Sequence, residues 1–184
     1  MRLELPTGTV REWRRADAPS LARSANDRRI WRNLRDRFPY PYSLADAEQF
    51  LVTVESMSPV TSFAIEVDGD AVGGIGYMLH GDVERVSAEV GYWLGVPFWG
   101  RGIMTAAVAA VTRHAFASHD WLRRLYAVPY AWSLGSIRVL EKSGYRREGQ
   151  MRQSAIKDGE VTDQLLYAML RDDVPSVEWR VSRD

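Results

Sequence analysis

The hydrophobic period of this chain changes at residue 97, and that change limits what the chain can fold into. Before it lie three runs of strand length, "TSFAIEV" (61–67), "AVGGIGYML" (71–79) and "SAEVGYWL" (87–94). "DGD" (68–70) joins the first two with the Asp-Gly signal of a tight hairpin, and "HGDVERV" makes the next reversal. Three antiparallel strands are therefore expected. After residue 97, Ile103, Ala107, Val111 and Ala115 form one helical stripe, which Met104 and Val108 widen. Between the two regimes stands "PFWGRG", where Gly100 and Gly102 flank Arg101 at the mouth of the helix. A helix N-terminus leaves backbone N–H groups unpaired and carries a partial positive charge. Glycines just before it let those groups close on an anion with no Cβ in the way.

The remaining segments are read in the same manner. "TGTVREW" (7–13) is an opening strand, after which Asp17 or Ser20 caps a short helix. From Ser43, a second N-cap, Leu44, Ala47, Phe50, Leu51 and Val54 share one face. "RRLYAVPY" (123–130) reads as a strand, "SIRVLEKSG" as a helix ending at Gly144, and two long runs around "KDGE" as a final hairpin. This order predicts an α+β domain with a mixed sheet, not a regular βαβ alternation. No repeat or linker interrupts the 184 residues, so one domain over 1–184 is expected.

Composition removes several classes of function. The chain has no cysteine, which excludes disulfides, thiolate metal sites and cysteine nucleophiles. Lys plus Arg and Asp plus Glu balance at 24 each, so no global charge draws the protein to nucleic acid. The N-terminal "MRLELPTGTVREW" has no apolar stretch of the signal-peptide kind, and no run reaches membrane-spanning length. A cytoplasmic protein with no membrane partner is the expectation. His80, His114 and His119 are scattered without carboxylates at ligand spacing, so no metal is expected.

Three polyanions compete for the glycine turn. A P-loop needs GxxxxGK[ST], which is absent. A dinucleotide turn needs GxGxxG, and "GRGIMT" supplies only the first two glycines after a strand that sits among antiparallel hairpins. The third candidate is the pyrophosphate of coenzyme A. On the turn alone, a plain helix start with turn glycines outweighs all three.

The neighbouring residues alter that balance. "AEVGYWLGVPFWGRGIMTAAV" resembles the acetyl-CoA-binding segment of the GNAT superfamily of N-acetyltransferases, in its RimJ/RimL-like branch. "RFPYPYSLADAEQFL" and "SIRVLEKSGYRREGQMR" resemble two further blocks of that branch in the same order, so the likeness runs from about Gly8 to Leu170. It implies a mostly antiparallel sheet of about seven strands flanked by about four helices. The strand bearing Trp93 and Leu94 should splay from a parallel neighbour near Tyr126–Val128, and the gap should take the pantetheine arm. Backbone amides from Gly100 through Arg101, Gly102, Ile103 and Met104 to Thr105 should hold the pyrophosphate. Trp99 stands first in the family's turn pattern. Met104 stands last, where its bulk is expected to crowd the loop. Ser133 takes the place of an Asn that often bonds the pantetheine arm.

Acetyl transfer to an amine needs a neutral nucleophile in close approach, a stabilised oxyanion and a leaving thiolate. An α-amine has a pKa near 8, roughly two units below Lys, so a peptide N-terminus needs modest help. Glu89 is the candidate base, acting through water; the alternative is a strand carboxylate paired with an Arg. Strand alternation puts Glu89, Gly91 and Trp93 on one face, opposite Val90, Tyr92 and Leu94. Many relatives place a Tyr acid where this chain has Leu140. Ser136, one turn earlier, is the candidate hydrogen-bond donor to sulfur, unless it simply begins the helix. Tyr130, Trp132 and Tyr145 are expected to pack.

"RRIWRNLRDRFPYPY" gathers arginines 28, 29, 32, 35 and 37 with four large aromatics. By resemblance it lines the acceptor slot, with Phe38, Tyr40 and Tyr42 as walls and Arg35 or Arg37 meeting an acidic group on the acceptor. A solvated helix face with a proline-braced corner explains it equally well, and RNA contact less well at zero net charge. The leading function is an acetyl-CoA-dependent N-acetyltransferase for a peptide or protein α-amine. The alternatives are a small-molecule amine acceptor (antibiotic, amino acid or diamine), a non-catalytic acyl-CoA-binding module and, more distantly, a dinucleotide oxidoreductase. Open strand edges and seven Trp make a homodimer reasonable, and Trp179 is expected to pack the C-terminal tail.

Overall fold

The computed structural model describes residues 1–174; the tail with Trp179 lies outside the described residues. Eight strands form one sheet in the order β1-β2-β3-β4-β5-β6-β8-β7. They are β1 (Arg2–Glu4), β2 (Thr9–Glu12), β3 (Ser62–Val67), β4 (Asp70–Leu79), β5 (Ser87–Leu94), β6 (Arg124–Ala127), β7 (Arg146–Lys157) and β8 (Glu160–Leu170). The helices are α1 (Ala18–Ala25), α2 (Arg28–Trp31), α3 (Leu44–Glu55), α4 (Ile103–Ser118) and α5 (Leu134–Lys142). The architecture is the expected α+β sheet, with one more strand and one more helix than the sequence suggested. β1 is three residues long and pairs with β2 through a turn closed by Leu5 N–H on the Gly8 carbonyl at 3.0 Å. α2 is a single turn, begun by Asp27, whose carboxylate accepts from the Arg29 N–H at 2.8 Å. Elements this short have too few positions to show a period.

Both Asp-Gly turns take the hairpin form in which two successive residues have positive φ. Asp68 and Gly69 lie at 52° and 87°, Asp158 and Gly159 at 55° and 78°. α3 opens as expected on Ser43, which exchanges cap bonds with Asp46 (3.2 Å and 2.8 Å). Leu44 departs from the expected stripe and stands exposed in the first turn. At α1, Asp17 occupies the cap position but makes no side-chain cap bond. Its buried carboxylate instead accepts from both terminal nitrogens of Arg11 at 2.7 and 2.8 Å.

The sheet separates two apolar layers. On one side, α4 and α5 cover a core that includes Phe63, Ile65, Val90, Leu94, Val108, Leu125 and Leu140. On the other, α1 and α3 pack Leu21, Tyr42, Ala47 and Leu51 with Trp13, Phe38, Phe50 and Trp93. Every residue of the α4 stripe is buried, Met104 among them at 8% exposure. Burying a side chain of the Val, Leu, Ile or Met class contributes about 1.5–3 kcal/mol. The Met104 side chain therefore belongs to the core and does not crowd the glycine turn.

The sheet is forked in the middle. β5 and β6 form its parallel pair, with register Ser87↔Arg124, Ala88↔Leu125 and Glu89↔Tyr126. The ladder stops there, while β5 continues to Leu94 beside β4. The chain leaving β6 turns to β8 instead: Leu165 N–H donates to the Pro129 carbonyl and Ala131 N–H to the Asp163 carbonyl, each at 2.9 Å. From Val90 to Leu94, β5 has no partner strand on the fork side, which is the splay the resemblance implied.

Candidate active site

β5 ends in a tight turn over Val96–Phe98, and the Trp99 indole N–H then donates to the Leu94 carbonyl at 2.7 Å, folding the chain back on the strand. Gly100 and Gly102 have φ of 77° and 76°, in the left-handed region that disfavours any residue with a Cβ. A Cβ at either would meet nothing within 4 Å, so the backbone conformation demands glycine there, not close packing. Gly102 sits at the N-cap of α4 and offers no side-chain acceptor to the first-turn N–H groups. Ile103 and Met104 point into the core, Thr105 is half-buried, and exposed Arg101 lies over the Phe98 ring at 5.3 Å. An uncapped 16-residue helix with open space before it and a cation beside it suits an anion.

A cavity of about 860 Å³ follows the fork and passes under the segment between α2 and α3. It brings together seven of the sequence-selected residues: Arg35, Arg37, Phe38, Tyr42, Glu89, Trp93 and Ser136. The turn residues Trp99 to Thr105, Leu94 and Ser133 lie outside its lining. Leu94 faces the core, and Ser133 is the N-cap of α5 without a side-chain cap bond. Tyr40 is not a wall of this cavity. It is exposed, packs on Trp31 at 5.9 Å between ring centres, and borders a separate shallow recess with Arg28 and Arg29.

The side of the cavity under the segment between α2 and α3 is aromatic. Phe38 packs against Tyr42 at 4.8 Å and Trp93 at 5.9 Å, and Trp13 meets Phe50 edge-on at 5.3 Å. Gly74 on β4 leaves room for them, since a Cβ there would lie 2.7 Å from the Trp93 indole nitrogen. Burial, with the Asp46 charge adding to it, pushes the Tyr42 phenol up to about 12. Glu89 points into this chamber and is ion-paired with Arg35, the alternative that the sequence left open. Most of the other arginines are paired elsewhere: Arg28 with Asp158 (2.7 Å), Arg29 with Asp27 (2.7 Å) and Arg32 with Glu160 (3.0 Å). Arg37 has no ion-pair partner among the described residues.

Across the sheet, Ser136 lies near the start of α5 and shares its hydroxyl with Tyr92, Oγ to Oη 2.9 Å. The Tyr92 hydroxyl also donates to the Ser136 carbonyl at 3.3 Å. Burial holds the Tyr92 phenol well above its ordinary pKa, so it stays protonated. Tyr92 lines the cavity; strand alternation sets it on the face opposite Glu89 and says nothing of its partner. Leu140 is fully buried in the core. Tyr145 packs as expected, its hydroxyl bonded to Thr112 at 2.7 Å, whereas Tyr130 lines the cavity. His119 follows the end of α4 and bonds the Tyr77 hydroxyl at 3.1 Å, while His114 meets the Phe63 ring edge-on. Among the described residues no three His, Asp or Glu side chains are grouped to hold a metal ion. Nor is any described helix long and apolar enough to cross a membrane.

Residues 9–146 match the family model described as an acetyltransferase (GNAT) domain. The probable N-acetyltransferase YjcK of Bacillus subtilis (strain 168) is 40% identical over 88 residues, about half of each chain (47% of this one, 48% of YjcK). The SPbeta prophage-derived uncharacterized N-acetyltransferase YokL of the same strain is 27% identical over 149 residues, covering 80% of this chain and 81% of that protein. Mycobacterium smegmatis RimJ, solved with CoA-disulfide, superposes with a TM-score of 0.79 at 27% identity, covering 95% of this chain and 88% of RimJ. RimL, a ribosomal L7/L12 alpha-N-protein acetyltransferase solved with coenzyme A, shares the fold with a TM-score of 0.80 at 20% identity, covering 94% of this chain and 99% of that one. The matched model takes in the strand, the glycine turn and the helix after it, and on that match the chain belongs to the GNAT family of acetyltransferases.

Proposed function

We propose that this protein is an acetyl-CoA-dependent N-acetyltransferase whose acceptor is the α-amine of a peptide or protein N-terminus. The fork carries this reading, because β5 bears Glu89 where the ladder opens and the glycine turn at its far end. In it, backbone N–H groups from Gly100 to Thr105 hold the pyrophosphate, with Arg101 alongside. The main chain of β5 from Val90 through Trp93 to Leu94 meets the amide-bearing pantetheine arm. Acetyl-CoA supplies an activated acyl carbon and a thiolate leaving group. The amine enters from the aromatic chamber, where Arg35 must release Glu89 before the carboxylate can take the amine's proton through water. No metal takes part. The likeness to RimL, an alpha-N-protein acetyltransferase, supports an α-amine acceptor, and the open edge of β7 is compatible with a homodimer.

A second reading keeps the chemistry and makes the acceptor a small amine bearing a carboxylate, such as an amino acid. Arg37 favours it, since this cation lines the cavity with no ion-pair partner among the described residues. Free-thiol release from acetyl-CoA separates the two. The acceptor panel holds peptides with Ala, Ser, Met and acidic N-termini, amino acids, polyamines and aminoglycosides. Turnover confined to peptides supports the first reading, and turnover confined to amino acids replaces it with the second. Acetyl-CoA binding without thiol release against the whole panel would instead favour a non-catalytic acyl-CoA-binding module.

A further inference from the structure

We propose that Tyr92 is a positioning residue for departure of the thiolate, acting through Ser136; this rests on the acetyl-CoA reading above. The pleat of β5 turns Glu89 and Tyr92 to opposite faces of the sheet, yet both border one cavity because the ladder to β6 stops at Glu89. A group lying in the fork therefore has a carboxylate on the acceptor side and two hydroxyls on the other. Attack from the first side leaves sulfur facing the second.

Either hydroxyl can be the donor in this pair; the arrangement proposed has Tyr92 donating to the serine. Tyr92 and Ser136 have one proton each, and their oxygens are 2.9 Å apart. With Tyr92 donating to Ser136 Oγ, the serine proton is free, and Tyr92 is the one side-chain partner of that Oγ among the described residues. The serine O–H then opens onto the cavity that both residues line. A hydroxyl that accepts one hydrogen bond is a stronger donor of its own, because such chains polarise cooperatively. Burial keeps Tyr92 neutral and donating.

No proton leaves either hydroxyl. A free thiol ionises near pKa ~8.5, and Tyr and Ser hydroxyls ionise higher, so the pair stabilises a thiolate without protonating it. The amine's electron pair forms the C–N bond, and the C–S pair remains on sulfur. The amine's proton goes to the Glu89 side. Ring burial alone accounts for a Phe at position 92; it does not account for a hydroxyl aimed at Ser136.

Coenzyme A itself is the probe, so no acceptor need be known. The chain contains no cysteine, so every thiolate in the complex belongs to CoA. Alkylation of bound CoA by iodoacetamide, followed against pH, gives the bound thiol's pKa. In the wild type it should lie at least about half a unit below that of free CoA, as hydrogen bonds to the charged form require. Tyr92→Phe should cancel most of that depression, Ser136→Ala all of it, and the double variant should match Ser136→Ala alone. A depression that survives Tyr92→Phe overturns the proposal, as does a Tyr92→Phe effect that persists undiminished in the Ser136→Ala background. Failure of CoA to bind the wild type would overturn the acetyl-CoA reading beneath it, a distinct result.

Discussion

Arg35 and Glu89, 54 positions apart in sequence, meet in an ion pair inside the cavity, where the segment after α2 crosses the forked end of the β5–β6 ladder. Glu89 is well shielded, with 16% of its side chain exposed, while Arg35 is half exposed. The carboxylate proposed to take the amine's proton is thus held by a mobile-length cation that water also reaches. Glu89→Gln keeps the shape and a hydrogen bond to Arg35 but removes the base. General-base catalysis contributes typically 10²–10⁴-fold, so kcat should fall by about 10²-fold or more. The KM for acetyl-CoA should stay within about twofold, since the turn proposed to hold it lies beyond the opposite end of β5 from Glu89. Unchanged turnover would remove Glu89 from the mechanism.

Arg37 should set acceptor preference by charge. It lines the chamber proposed to take the acceptor, and its neighbour Arg35 is already neutralised by Glu89. Peptides with an acidic second or third residue should show a higher kcat/KM than matched neutral ones, by about fivefold at low salt, and the gap should shrink as salt is added. Arg37→Glu should invert the order. Spermidine should be acetylated poorly, because like charges meet at the entrance. Efficient turnover of spermidine would count against this charge assignment.

The turn glycines invite a test that separates fold from ligand. Gly102 has φ of 76°, and a Cβ there would touch nothing within 4 Å. Gly102→Ala should therefore cost the backbone strain of a left-handed residue, about 1–2 kcal/mol, without a steric clash. Denaturant melts should show that loss with an unchanged m-value. CoA affinity should fall as well, because the N–H groups proposed to face the pyrophosphate shift with the turn. A variant destabilised to this extent but binding CoA at full strength would place the pyrophosphate elsewhere.

What the sequence revealed and what it hid follow from contact range. The Asp-Gly hairpins and the α4 stripe were readable because their signals are local: positive φ at two adjacent residues, and apolar residues every third or fourth position. The fork came from resemblance alone, since where a parallel ladder stops depends on pairing across intervening helix and turn. Side-chain partnerships were less legible still. Position 89 could be assigned a face of β5, but not Arg35 as its partner. Tyr92 could be placed on the face opposite Glu89, but its bond to Ser136 spans 44 residues. Resemblance puts Tyr40 with Phe38 and Tyr42 as a slot wall, but it packs on Trp31 instead.

Histidine burial gives the protein a stability loss on the acid side. Burial lowers the pKa of His114, with the positive N-terminus and His119 adding to it, and burial also lowers that of His119. A folded-state pKa below the unfolded value of about 6.5 means the unfolded chain binds more protons there. The stabilising contribution is complete above pH ~6.5 and is lost as pH falls below it, before most carboxylates titrate. Melting temperature should therefore drop between pH 7 and pH 5. His114→Phe with His119→Gln should flatten that drop, and an unaltered pH slope in the double variant would assign it to other groups.

Lys157 ties the acceptor segment to the β7–β8 hairpin. Its side chain has no exposed surface, its Nζ lies 3.7 Å from the centre of the Trp31 ring, and it donates to Asp36 at 2.6 Å. Arg28 and Arg32 reach the same hairpin at Asp158 and Glu160. Arg35 and Arg37 follow directly on this anchored stretch, so the anchor fixes where the acceptor chamber's cations stand. Lys157→Met preserves bulk over Trp31 and removes the charge. Asp36 is largely exposed and loses little by being left alone. The stability cost should then be near the cation–π contribution, about 0.5–2 kcal/mol. The functional cost should fall on one substrate only, with the acceptor KM rising several-fold and the KM for acetyl-CoA unchanged, because the anchor touches neither the fork nor the glycine turn. Steady-state kinetics with each substrate varied in turn would read this directly. A rise in both constants would mean that the hairpin supports the whole sheet and not the acceptor chamber in particular.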